Sequence, residues 1–200
     1  MNMVIGQGQN AYTAMQMVQL TSTIANKGEL VKPTLIKEIK DYKDKETIFK
    51  NEKKTSETGI KSEYFEHIQK GMRATANNVR YRNNFPFTIA AKTGTSQLGT
   101  IDPKTGEFYD DLGSEIAFAP ADDPEIAVYV QIIEGKTSLN IQPLVNDIFY
   151  SYYKLVKKDS RFTNVRPGSS FTETTVENDE NTPDNETNTQ TNETNTQENE

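Results

Sequence analysis

The chain has 200 residues and a mass of 22.6 kDa, enough for one domain with a sizeable core and too few for two full ones. Its 22 Lys and Arg against 29 Asp and Glu give a net charge of −7, yet residues 172–200 hold seven Glu, two Asp and no base and so carry −9. Residues 1–171 are left near neutral at +2, without the clustered Lys and Arg that neutralise phosphates, which excludes a nucleic-acid partner.

The absence of cysteine removes disulfides and thiolate metal sites together. Mean hydropathy is −0.75 and the longest apolar run is residues 126–130, too short to cross a bilayer. The opening Met-Asn-Met-Val-Ile-Gly lacks the basic region and long apolar run of a secretory signal. The chain therefore reads as having neither signal nor transmembrane segment.

Thr13-Ala-Met-Gln16 has the spacing of a capping box and starts the first predicted helix. Ala14, Met17, Val18, Ile24 and Ala25 give its apolar face, and Asn26-Lys-Gly28 ends it with glycine in the left-handed position. Residues 33–52 read as an exposed hairpin, with Leu35, Ile36 and Ile39 on one strand and Ile48 and Phe49 on the other. Ser62 is the predicted N-cap of a second helix, in which Phe65, Ile68 and Met72 recur at helical steps before Asn77 and Asn78.

Three strands follow in close succession: residues 87–91 running into Lys92-Thr-Gly-Thr95, residues 116–119, and residues 126–133. Short links favour an antiparallel sheet. A closing helix over residues 144–156 is predicted to turn Leu144, Ile148, Tyr152 and Leu155 toward that sheet. Beyond Arg166 the composition collapses to Asn, Thr, Glu and Gln, with Asn-Glu-Thr-Asn-Thr-Gln at 185–190 and again at 192–197. Such a segment has little apolar surface to offset the entropy of ordering it and reads as disordered.

Lys92-Thr-Gly-Thr95 carries the sharpest chemical signal. An ammonium, two hydroxyls and a bare glycine at the end of an apolar strand form an anion-binding edge that an extended peptide can approach. The Thr95 amide can point at a developing oxyanion. A second copy, Lys104-Thr-Gly106, sits between Asp102-Pro103 and Glu107, where a turn suffices to explain it. His67 reads as a surface histidine, and Asp102, Glu107, Asp110 and Asp111 as a solvated loop without calcium-loop spacing. Tyr150, Tyr152 and Tyr153 read as packing residues.

Lys92-Thr-Gly is one of the signatures of penicillin-binding proteins and class A β-lactamases. Upstream stand Ile5-Gly-Gln-Gly8, Thr13 with Gln16, Ala25-Asn-Lys-Gly28 and Val31-Lys-Pro33; downstream stands Phe118-Ala-Pro-Ala-Asp-Asp-Pro-Glu-Ile-Ala-Val128. In that order they resemble the C-terminal part of the transpeptidase domain of class B penicillin-binding proteins. The resemblance implies an α+β fold, an antiparallel sheet flanked by helices, of the serine D,D-transpeptidase and β-lactamase type. It places that portion of the domain at residues 1–158 and a disordered tail at 159–200.

The resemblance further implies that Lys92, Thr93, Gly94 and Thr95 bind the substrate, the carboxylate falling to Lys92, Thr93 and Thr95, and that the Thr95 amide is half of an oxyanion hole. The implied substrate is a peptidoglycan stem peptide, with β-lactams as inhibitors of the full-length enzyme and other cell-wall synthesis proteins as partners. Neither cofactor nor metal is implied. The implied place of work is the extracytoplasmic face of the cell membrane.

In such enzymes Ser-x-x-Lys and Ser-x-Asn precede Lys-Thr-Gly. Here Ser151-Tyr-Tyr-Lys154 and Ser138-Leu-Asn140 match the patterns but follow Lys92 in reversed order, and both read as chance. The nucleophile is thus expected outside this chain, which alone is expected to be inactive. Ser114-Glu115-Ile116-Ala117 also departs from the aromatic pair and glycine that many relatives carry there. Two alternatives remain open at this level: a non-catalytic remnant binding a cell-wall peptide or division partner, and a β-lactamase or β-lactam sensor.

Overall fold

The computed structural model describes residues 10–43, 46–78, 82 and 84–163. Thr13 caps α1 (Ala14–Ala25) as predicted: its hydroxyl accepts the Gln16 amide at 3.2 Å while Gln16 Oε1 accepts the Thr13 amide at 2.9 Å. The buried face differs from the expected one. Thr21, Thr23, Ile24 and Ala25 are buried, whereas Ala14 is exposed and Met17 and Val18 are half-buried. The two threonines can go inside because their hydroxyls donate to Met17 O and Gln19 O at 2.7 and 2.8 Å, leaving nothing unpaired. At the C-terminus Lys27, at φ 54, takes the left-handed position, one residue earlier than the glycine expected there. Gly28 follows at φ 108, where a Cβ would come within 2.7 Å of the Phe65 ring.

β2 (Glu38–Lys40) and β3 (Thr47–Lys50) form the predicted hairpin, with Ile39 opposite Phe49 and both strands exposed. It is bracketed by a pair the sequence did not announce, β1 (Glu29–Val31) against β4 (Thr55–Glu57). Three-residue strands with acidic ends carry too little alternation to be recognised. In α2 (Ser62–Asn77) the N-cap is Lys61, without a side-chain cap, and Ser62 lies inside the helix. Its buried stripe is Phe65, Gln69, Met72 and Ala76, while Ile68 is 46% exposed. Gln69 is buried because it donates to Ile24 O and Ala25 O at 2.7 and 3.1 Å, carbonyls of the last turn of α1, where the regular helical partners run out.

β5 (Ala90–Ser96), β6 (Leu112–Ala119) and β7 (Ile126–Ile132) make one antiparallel sheet in the order β5-β6-β7. Successive residues feed opposite faces. Ala90 and Phe118 join Ile24, Phe65 and Met72 of α1 and α2, whereas Ala91, Ala117, Ala119 and Val128 join Val145, Phe149 and Tyr153 on the other side. The α+β class with helices on both faces of an antiparallel sheet is as expected, and burying Phe118 and Phe149 completely stabilises it by about 2–3 kcal/mol each.

The closing helix is α3 (Gln142–Ser151), widening into a π-helical turn over Tyr152–Val156. Its predicted face is corrected: Leu144 and Leu155 are 43% and 67% exposed, and the buried stripe is Val145, Asn146, Phe149 and Tyr153. The helix is rotated by one residue. Both stripes are apolar apart from Asn146, so periodicity could not choose; Tyr153 chooses, donating to Ala119 O at 3.0 Å from the core. The packed chain runs past residue 158 into the 3-10 turn Ser160–Thr163, where Phe162 is fully buried and stacks on Tyr153 at 5.3 Å and 9°. The Ile5-Gly-Gln-Gly8 block and residues 164–200 of the tail lie outside the described residues.

Candidate active-site strand

β5 begins in the core and ends in solvent. Ala90 and Ala91 are fully buried, Lys92 and Thr95 are exposed, and Thr93 and Gly94 are half-buried. The strand pairs with β6 alone, so among the described residues its other edge is free. Alternation puts Lys92 on the α1–α2 face of the sheet and Thr93 and Thr95 on the α3 face. A ligand lying along the edge therefore meets an ammonium on one side and two hydroxyls on the other. Lys92 Nζ donates to Thr93 O at 2.6 Å; Thr95 Oγ1 accepts the Ser138 amide at 3.1 Å.

Gly94 is needed for space. A Cβ there would come within 2.8 Å of Ser114 Oγ, the hydroxyl of the residue opposite, which donates to Gly94 O at 3.3 Å. One position earlier, Thr93 faces Glu115 across the ladder. The departure at Ser114–Ala117 thus has a structural content: Glu115, 1% exposed, pairs through Oε1 with Arg82 Nη2 at 2.6 Å, and Arg82 Nε donates to Asn146 Oδ1 at 3.0 Å. Burial pushes the Glu115 carboxyl above its ordinary range, against the opposing pull of Arg82. Arg82 Nη1, Glu115 Oε2 and Asn146 Nδ2 have no partner among the described residues. This buried network behind the exposed tetrad escaped the sequence reading, because nothing in three isolated polar residues signals burial.

The other candidates fall elsewhere. Lys104-Thr-Gly106 is a turn, with the Lys104 amide donating to Asp102 Oδ1 and the Gly106 amide to Asp102 O, both at 2.8 Å. His67 is exposed on α2. Asp110 faces Lys136 at 3.7 Å, and no group of three or more metal-ligating side chains gathers among the described residues. Ser151 is exposed on α3, and the ammonium of Lys154 is engaged by the Tyr150 hydroxyl. Ser138, by contrast, touches the tetrad, through its backbone amide.

The profile of the family described as the penicillin binding protein transpeptidase domain matches residues 2–151. The chain belongs to that family. Penicillin-binding protein 2A of Bacillus subtilis (strain 168) is 30% identical over 195 residues, which cover 89% of this chain and 27% of that protein. Among solved structures, penicillin-binding protein A from M. tuberculosis as its penicillin G acyl-enzyme complex superposes with TM-score 0.54 at 29% identity, over 66% of this chain and 28% of that one. Penicillin-binding protein 2B from Streptococcus pneumoniae (strain R6) gives 0.60 at 26%, over 72% and 25%. This member of the family thus spans about a quarter of the length of the relatives it matches.

Proposed function

We propose that this chain is the C-terminal part of a class B peptidoglycan D,D-transpeptidase, and that β5 is the wall of its cleft that receives the substrate carboxylate. One observation carries the reading: Lys92, Thr93, Gly94 and Thr95 occupy the solvent-facing end of a strand that pairs with β6 on one edge, has no strand on the other among the described residues, and is anchored in the core at its opposite end. Family membership supports it, as does the penicillin G acyl-enzyme formed by the M. tuberculosis relative.

A stem peptide ending in D-Ala-D-Ala lies extended along the free edge. Its terminal carboxylate takes the Lys92 ammonium and the Thr93 and Thr95 hydroxyls, charge-assisted bonds stronger than neutral ones. A serine outside this chain attacks the penultimate carbonyl, and the Thr95 amide is one of two donors to the oxyanion. The C–N bond to the terminal residue breaks, its nitrogen takes a proton and D-alanine leaves. The amine of a neighbouring stem peptide then attacks the acyl-serine, forming the cross-link and restoring the hydroxyl. β-Lactams inhibit by acylating the same serine. The substrate fixes the place of work at the extracytoplasmic face of the membrane; no helix among the described residues is long and apolar enough to cross a membrane.

The supply of the nucleophile from outside is supported by Ser151, whose lysine partner in the pattern is engaged by Tyr150. Intact-mass spectrometry of the 200-residue chain after incubation with penicillin G tests this. No added mass is expected; a covalent adduct on any of its serines overturns it.

A further inference from the structure

We infer that the backbone amide of Ser138 is a positioning group for carboxylate binding: it fixes the Thr95 hydroxyl so that its hydrogen faces the free edge of β5. The inference rests on the carboxylate-wall reading of β5 and adds to it a residue from a different element, 43 positions away in sequence.

A threonine hydroxyl has one hydrogen and two lone pairs. Thr95 Oγ1 spends one lone pair on the Ser138 N–H at 3.1 Å, and no acceptor among the described residues takes its hydrogen. Thr95 is exposed, so without that bond its side chain is free to change rotamer and its hydroxyl to turn either way. A carboxylate is an acceptor only. A hydroxyl already held as an acceptor by a backbone N–H is thus presented to it as a donor.

The amide itself is held firmly. Ser138 opens a 3-10 turn whose preceding residue, Thr137, is extended at φ −150 and ψ 152. Glu134 and Lys136 both take left-handed conformations, at φ 57 and 64, a cost that persists only where the surroundings impose it. Here they do: the Lys136 amide donates to Asp111 O at 3.0 Å, and Asn140 Nδ2 donates to Gly135 O at 2.9 Å. The turn lies against the start of β6, where a Cβ on Gly113 would stand 2.8 Å from Thr137 O, and it leads into the fully buried Ile141. Ser138 thus acts through its backbone and Asn140 as a brace of the turn, neither in the manner of a Ser-x-Asn motif.

The test replaces Ser138 by its α-hydroxy-acid analogue in the full 200-residue chain, turning the 137–138 amide into an ester. This removes the N–H and also weakens Thr137 O as acceptor of the Asn140 amide at 3.2 Å, a change that the Thr95→Val background controls for. Binding of N-acetyl-D-alanyl-D-alanine and of its C-terminal amide is followed by NMR at the Lys92–Thr95 resonances. The ester is expected to weaken the acid by about three- to tenfold, the net worth of one hydrogen bond, and to leave the amide ligand unchanged. Ser138→Ala, which keeps the N–H, is expected to bind both as the parent does. In a Thr95→Val background the ester is expected to have no further effect. Undiminished binding of the acid to the ester protein, or an equal loss with Thr95→Val present, overturns the inference while the carboxylate wall stands. Failure of the parent chain to prefer the acid over the amide overturns the wall itself.

Discussion

At the scale of single residues, the tetrad divides its work by direction: Lys92 and the two threonines point away from the sheet on opposite faces, and Gly94 keeps the ladder close. Gly94→Ala drives a methyl toward Ser114 Oγ, 2.8 Å away, and is expected to cost about 1–3 kcal/mol as an overpacked contact. Ser114→Ala removes the obstructing oxygen, so urea unfolding of the double variant is expected to show less than the sum of the single losses. Glu115 makes a separate prediction. Because burial raises its carboxyl in the folded state, the folded chain holds that proton more tightly than the unfolded one. Its contribution is fully present below the ordinary glutamate value of about 4.3 and is lost as pH rises through the raised folded value. Glu115→Gln abolishes this decline, so the stability of the parent minus that of the variant is expected to be larger at pH 4 than at pH 7 by urea midpoints. The tetrad was legible from residue types alone. Arg82, Asn146 and the Ser138 amide were not, since Arg82 reaches Glu115 across 33 positions and Asn146 across 64, and the Ser138 amide reaches Thr95 across 43, distances only the assembled fold spans.

At the scale of elements, local chemistry was readable where it is self-contained. The Thr13 box and the Ile39–Phe49 hairpin satisfy themselves within a few residues. The face of α3 was not readable, because its two candidate stripes differ only in which one finds partners on the sheet. The deciding contacts are those of Tyr153 with Ala119 O and Phe162. Burial pushes the Tyr153 phenol well above its ordinary range, so it stays a donor at every physiological pH. Phe162→Ala is expected to cost about 3–5 kcal/mol, as emptying a fully buried aromatic site does, and truncation after residue 158 is expected to cost at least as much in the same thermal melt. A truncated chain melting like the parent contradicts the placement of Phe162 in the core. The stripe that remains, Leu144 and Leu155 exposed with Ile148 and Tyr152 half-buried, lines an open apolar groove with Ile126.

At the scale of the whole molecule, helices on both faces of a three-stranded sheet leave β5 with one edge free among the described residues and an exposed carboxyl-terminal end. The antiparallel sheet and its closing helix followed from strand spacing and periodicity, and the fold class and the family from the resemblance carried by the order of motifs around Lys92. What composition and periodicity did not reveal is how the body closes at Phe162. The central claim is that the Lys92 ammonium binds the carboxylate of a substrate attacked by a serine encoded outside this chain. The measurement that tests it most directly is the rate of covalent acylation by fluorescent penicillin in a protein that joins this chain to a serine-bearing N-terminal part of the transpeptidase domain, with and without Lys92→Ala. The expected result is labelling on an upstream serine that slows by about 10- to 100-fold in the variant, the worth of one charge-assisted hydrogen bond. An unchanged rate in Lys92→Ala contradicts the account.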